Sequence, residues 1–258
     1  MNNLHKFYWF LTSQIGIDLL KMLRAFSGMM RYLRDLLSFS HNYSGRLNLL
    51  PCLHDWFEEG GATKNEYFWQ DLIVARKIFA ANPQKHVDIG SRLDGFVAHV
   101  ASFREIEVFD VRPITTQIPG VIFKQADLMD PLDGFYEYCD SVSCLHALEH
   151  FGLGRYGDPV DPHGFKRGFS SITNLLKAEG IFYLSVPIGI PLVEFNAHRI
   201  SDPRVILDLA KQSRLFLSSL SIIRQGGIVE SIKLSESQVA ELAKQDYSLG
   251  LFTFVKRI

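Results

Sequence analysis

The ten residues His86 to Gly95, HVDIGSRLDG, constrain this chain more than any other stretch. They read as a short buried strand, a turn at Gly90 and the start of a helix, and a second short strand ends at Phe109-Asp110, about twenty residues on. That is the layout of a nucleotide-type cofactor site in a βαβ unit. After a buried strand the chain must turn sharply beside a ligand, and glycine permits both the unusual dihedrals and the close backbone approach. Gly90 and Gly95 suit that task. Asp110, at the carboxyl end of the second strand, offers two acceptor oxygens to a pair of vicinal ribose hydroxyls. The plainer alternative is a carboxylate that merely ends a strand.

The rest of the chain fits a domain built around such a unit. Glu66 to Ala81 reads as a helix stopped by Asn82-Pro83, followed by strands at His86–Ile89, Glu105–Phe109, Val121–Lys124, Cys139–Leu145 and Gly180–Val186. Helical stretches at Asp94–Ser102 and Phe165–Leu176 separate them, so the expected fold is α/β with a doubly wound, mostly parallel sheet. Pro203–Lys211 and Glu236–Lys244 read as further helices, and Leu215–Ile223 and Leu249–Val255 as late strands. With 258 residues, 47% of them hydrophobic, one catalytic domain and an extension are enough. The expected division is residues 1–64 and 65–258.

The extension has its own pattern. Leu4, Tyr8, Leu11, Ile15, Leu19, Met22, Phe26, Met29, Leu33 and Leu36 recur at helical spacing, with Lys6, Asp18, Lys21, Arg24, Arg31, Arg34 and Asp35 mostly opposite. Such a basic amphipathic helix, with Phe7, Trp9 and Phe10 near its start, could lie on an anionic membrane surface, and the competing reading is a helix packed on its own domain or on a twin subunit. Gly16 and Gly28 argue against one unbroken rod. Residues 41–64 read as a connector with at most one short helix.

A net charge of −1 gives no global field for nucleic acid, and no DNA-binding signature is present. Cys52, Cys139 and Cys144 lack CxxC spacing, which favours a reducing, cytoplasmic setting. No uncharged apolar run of about 18 residues predicts a spanning helix. Two familiar loops fail on spacing: Phe96-Val97 stands where a P-loop needs Lys-Ser/Thr, and no third glycine completes the dinucleotide fingerprint.

Four segments, Val87-Asp88-Ile89-Gly90, Val108-Phe109-Asp110, Gln125-Ala126-Asp127-Leu128 and Leu148-Glu149-His150, together resemble the class I S-adenosylmethionine-dependent methyltransferases from about Glu66 onward. The runs HVDIGSRLDGFVAHVASFREIEVFDVRP and LHALEHFGLGRYGDPVDPHGF are similar to an uncharacterised methyltransferase-like family first described from nematode proteins. The resemblance implies S-adenosylmethionine as cofactor. Asp88, Gly90, Ser91, Arg92 and Gly95 would border its methionine part, Asp110 and Val111 its ribose, and Asp127 and Leu128 its adenine. Arg92 and Asp94 stand where the commoner loop has small glycines, and the two could pair and stiffen it.

The turn His146-Ala147-Leu148-Glu149-His150 follows the fourth strand, at the edge where doubly wound sheets place their sites. Residues three and four apart share a helical face, so His146, Glu149 and His150 could converge, with His150 or His146 as the base that takes the acceptor's proton. The literal pattern also matches an inverted zinc-protease signature, which belongs on a different scaffold. In ubiquinone-pathway and small-RNA O-methyltransferases similar turns hold a divalent ion with a later histidine, and His146, Glu149, His150 and His198 are the corresponding set here. The alternative is that Glu149 and His150 are satisfied by neighbours.

The glycine-rich loop Gly152 to Asp158 reads as a mobile lid. Its Arg155, Tyr156 and Asp158, with Asn196, His198 and Arg199 beyond the next strand, suit a small hydroxylated, sugar-like or phosphorylated acceptor. The expected activity is therefore O-methylation of a small or glycan-like molecule, such as a cell-surface polysaccharide precursor. Its rivals are a non-catalytic binding module on the same fold and a metal-dependent hydrolase.

Overall fold

A computed structural model describes residues 3–224, 226–233 and 235–257, and the chain forms two units, residues 1–62 and 63–258. In the first unit, α1 (Asn3–Phe10) runs into a π-helical turn, Leu11–Ile15. Gly16 ends it in the left-handed region at φ 82°, a break its place in the sequence suggests, and α2 (Leu19–His41) restarts with Asp18 as its cap and runs unbroken through Gly28. One short 3-10 turn, Asp55–Phe57, interrupts the connector.

In the second unit α3 (Glu66–Ala81) is capped by the Asn65 side chain, which accepts from the Tyr67 N–H, and closed by Asn82 in the left-handed region. Then come β1 (His86–Ile89), a π turn at Leu93–Val97 leading into α4 (Ala98–Ala101), β2 (Ile106–Asp110), β3 (Val121–Gln125), β4 (Cys139–Leu145) and α5 (Gly164–Leu175). β5 (Leu176–Ile188) follows at once, then the small hairpin β6 (Leu192–Glu194) and β7 (His198–Ile200), and α6 (Pro203–Gln212). The chain closes with β8 (Leu215–Arg224), β9 (Ile228–Ile232), α7 (Glu236–Leu242) and β10 (Ser248–Lys256).

The main sheet has the order β3-β2-β1-β4-β5-β10-β8-β9. Its first five strands are parallel, whereas β10 inserts antiparallel between β5 and β8 and β9 adds an antiparallel edge. Helices cover both faces. Val87, Ile89, Val142, Phe182 and Leu184 point to one side and pack with Phe165, Phe169, Ile172 and Ile206 of α5 and α6. Ile106, Val108, Tyr183 and Leu251 point to the other and pack with Val74, Ile78, Phe96 and Val100 of α3, the π turn and α4. The alternation follows from the two-residue repeat of a pleated strand. Strand order reverses between β1 and β4, which opens a crevice at their carboxyl ends.

Candidate functional site

That crevice is a cavity of about 330 Å³. Gly90, after β1, lies on its wall at φ 68°, and a Cβ there would come within 3.1 Å of the Ala147 Cβ. Asp110 and Val111 after β2, and Asp127 and Leu128 after β3, form another side. Arg92, His146, His150, Arg155, Tyr156 and Asp158 complete the predicted residues that it gathers, together with Tyr67 and Arg112, which the sequence reading missed.

Asp88 lies apart from the residues that line this cavity. Its carboxylate is fully buried beneath the turn and does not line this cavity: Oδ2 accepts the Ser91 N–H at 3.0 Å, and Oδ1 accepts the Ser91 hydroxyl at 2.6 Å and the Ser143 hydroxyl at 2.5 Å. The parallel register of β1 and β4 sets Asp88 beside Ser143 and His86 beside Ser141. Because Ser143 donates to Asp88, the His86 Nε2–H donates to Ser143 at 3.1 Å and Nδ1 accepts from Ser141 at 2.8 Å. Burial pushes Asp88 up to about 7 and His86 down to about 3. The pair therefore holds the turn at Ser91 through buried hydrogen bonds. Ser91 is buried likewise, and Gly95 packs over the Asp71 carboxylate instead of facing the cavity.

The expected pairing of Arg92 with Asp94 is present: Nε and one terminal nitrogen reach the two carboxylate oxygens at 3.0 and 2.6 Å. The guanidinium rests 5.5 Å from the Tyr67 ring centroid, and both residues line the cavity.

Asp110 carries a partner of its own. Its Oδ1 accepts the Arg112 backbone N–H at 2.8 Å and Nε–H at 3.0 Å, and its Oδ2 accepts the terminal guanidinium nitrogen at 2.6 Å. Arg112 also lies 4.4 Å from the Tyr156 centroid.

His146 lies between two carboxylates. Nδ1–H donates to Glu149 at 2.6 Å and Nε2–H donates to Glu66, at the start of α3, at 3.1 Å. Burial opposes its charge, but two carboxylates outweigh that and raise its pKa to about 9. The ring is an imidazolium stacked on Tyr67 at 4.6 Å, with no lone pair left for a proton or a metal. Burial would raise Glu149, yet the facing His146 holds it below the usual carboxylate range. The turn here is a 3-10 turn, Leu148–His150, not an α-helical one. Among the described residues no group of three or more His, Cys, Asp or Glu could hold a metal ion, so His146, Glu149, His150 and His198 do not assemble as a ligand set.

His150 differs from His146. Its Nδ1–H donates to the Ala197 carbonyl at 2.7 Å, and burial lowers its pKa, so the neutral ring keeps its Nε2 lone pair, with the Glu149 carboxylate 3.8 Å from that atom. Arg155 donates to the same carbonyl at 2.8 Å.

The loop after this turn is pinned where the sequence reading expects a mobile lid. The Asp158 carboxylate accepts the backbone N–H groups of Gly152, Gly154 and Tyr156 at 2.9 to 3.2 Å. Beyond β5, Arg199 donates to the Glu149 and Phe151 carbonyls, His198 is half-buried, and Asn196 is exposed in the β6–β7 turn. None of those three lines the cavity.

Comparison with known proteins agrees with this architecture. The DUF268 family, described as a Caenorhabditis protein of unknown function, matches residues 120–235. No curated protein matches the chain in sequence. Among solved structures, the chain is similar to the Burkholderia thailandensis 1,6-didemethyltoxoflavin-N1-methyltransferase with bound 1,6-didemethyltoxoflavin and S-adenosylhomocysteine, at 15% identity and TM-score 0.53, over 89% of each chain. It is also similar to a provisionally assigned methyltransferase of Bacillus halodurans C-125, at 15% identity and TM-score 0.51, over 73% of this chain and 99% of that one. The DUF268 family model thus matches residues 120–235, and the domain that contains them has the Rossmann-like fold of these methyltransferase structures.

Proposed function

We propose that the chain is an S-adenosylmethionine-dependent methyltransferase that acts on an oxygen of a small or glycan-like acceptor, such as a precursor of a cell-surface polysaccharide. The observation that carries this reading is the cavity at the β1/β4 reversal, with Gly90, Asp110 and Asp127 on its wall and a neutral histidine beside them. A carboxylate at a strand end and a left-handed glycine are what an adenosyl ligand needs from such a crevice. Asp110 would take the ribose hydroxyls, Asp127 and Leu128 the adenine, and Gly90 the close approach of the methionine part.

When bound, the cofactor supplies an electrophilic methyl group on a sulfonium. The protein's contribution is position and a proton acceptor. Ala197 fixes the tautomer of His150, so Nε2 is free to take the acceptor's proton as the oxygen attacks. Ala147, Leu128, Met129 and Phe151 line the cavity with apolar surface that excludes water. Tyr67, Tyr156 and the guanidinium groups of Arg92, Arg112 and Arg155 line it too, which suits a hydroxylated acceptor that carries negative charge.

Calorimetric titration with S-adenosylhomocysteine tests the reading. Saturable binding that weakens in Asp110→Asn is expected. Absence of heat at millimolar ligand would turn the reading to a non-catalytic module, whose ribose-facing carboxylate is held permanently by Arg112.

A further inference from the structure

We propose that the N-terminal helices dock the protein on an anionic lipid bilayer, lying along its surface rather than crossing it. On α2 the residues Leu19, Leu23, Phe26, Met30, Leu33 and Leu37 follow one another at alternating steps of four and three, which aligns them along one face. All six are exposed, Phe26 by 76% and Leu37 by 73%. The opposite face is already covered. Gly28 there is buried, with room for no Cβ because the Leu53 carbonyl would stand 2.3 Å from it, and Arg31 lies on the Trp56 ring at 3.1 Å. The apolar stripe is therefore the side this unit leaves uncovered, and Leu20 and Met22 widen it.

Two features select a lipid surface. From Leu4 to His41 there are five basic and two acidic residues, a net of +3 in a chain whose total is −1, so the remainder carries −4. The segment that carries the exposed stripe is therefore the positively charged part of the chain, as attraction to anionic headgroups requires. On α1, Phe7, Trp9 and Phe10 are exposed as well, and aromatic rings, tryptophan above all, favour the headgroup boundary. No helix among the described residues is long and apolar enough to cross a membrane, which leaves the in-plane mode. The alternating steps also suit a seam between two copies of the chain, but a two-stranded seam needs a narrower stripe than this one.

The test is flotation of the full chain with vesicles of phosphatidylcholine alone or mixed with phosphatidylglycerol. Binding to the mixed vesicles is expected, weakening when salt is raised to about 1 M. Phe26→Glu and Leu23→Glu are each expected to reduce it about tenfold or more, with an unchanged melting transition as evidence of intact folding. The proposal is overturned if the chain ignores both kinds of vesicle, or if Phe26→Glu floats as well as the parent. It is also overturned if light scattering finds a dimer that Phe26→Glu dissolves while vesicle binding is absent, because a second copy would then cover the stripe.

Discussion

Arg112 lies along the carboxylate of Asp110, with Nε on one oxygen at 3.0 Å and a terminal nitrogen on the other at 2.6 Å. Both oxygens that a ribose would use are therefore taken by a side chain two residues away. Asp110 is nearly buried, whereas the Arg112 side chain is 44% exposed, so the arginine is the partner free to swing out. Under the proposed function a ribose competes with Arg112 for these oxygens, which lowers affinity.

Replacing Arg112 should then strengthen binding of S-adenosylhomocysteine. For a half-exposed bidentate pair the difference is on the order of 1 kcal/mol, so Arg112→Met should lower Kd by about fivefold. Asp110→Asn should raise it by tenfold or more. Calorimetry on the two variants gives opposite signs if Asp110 meets the ribose. Loss of affinity in both would mean that Arg112 itself contacts the ligand.

Asp88 should matter to stability more than its position outside the cavity lining suggests. Removing the carboxylate leaves the Ser91 N–H, the Ser91 hydroxyl and the Ser143 hydroxyl without their acceptor in a fully buried site. Asp88→Ala is expected to cost on the order of 3 kcal/mol in urea unfolding, and Ser143→Ala about 1 kcal/mol. A double variant that costs less than the sum of the two would confirm that they act through one bond.

Much of this was legible beforehand, and the reasons are local. β1, β4 and α3 match their sequence expectations because buried runs and capped amphipathic stretches carry their own signal in the repeat and in residues such as Asn65 and Asn82. β9 was not legible. Ile228–Ile232 is an exposed edge strand interrupted by Glu230, and its partner β8 supplies the register. β5 begins earlier than expected because it starts directly at Leu176, where a helix was expected to end. In the site, Gly90, Asp110 and Asp127 could be read from their strand ends. The charge on His146 could not, because the Glu66 that takes its second nitrogen is 80 residues away in sequence. Arg112 and Tyr67 likewise become site residues only when the crevice is assembled.

The charge on His146 predicts a pH dependence. Its folded pKa, about 9, lies above the ordinary 6.5, so the stability drawn from the Glu66–His146–Glu149 arrangement is fully present below pH 6.5 and is lost as pH rises through 9. His86 acts in the other direction: lowered to about 3, its contribution is present above pH 6.5 and fades only as pH falls. Asp88, raised to about 7, has completed most of its change before the upper part of that window. Between pH 7.5 and 8.5, below the range in which the raised Cys139 and Cys144 thiols begin to contribute, the melting temperature should therefore decline, and His146→Gln should flatten the decline while lowering the melting temperature at pH 7. A slope that survives in His146→Gln would assign the titration elsewhere.

Gly90 offers the sharpest separation of fold from site. An alanine there would adopt φ 68°, which costs about 1–2 kcal/mol for an L-residue, and would place its methyl 3.1 Å from the Ala147 Cβ, both on the cavity wall. Gly157 is the matched control, because it sits at φ 85° with nothing within 4 Å of an added methyl and lies outside the lining. Both alanine variants should lose a similar few degrees in melting temperature. Only Gly90→Ala should lose affinity for S-adenosylhomocysteine, by tenfold or more, since the extra carbon narrows the passage between the β1 and β4 ends. Equal affinity in the two variants would show that the ligand does not rest over this turn, and the assignment of the crevice to an adenosyl group would fall with it.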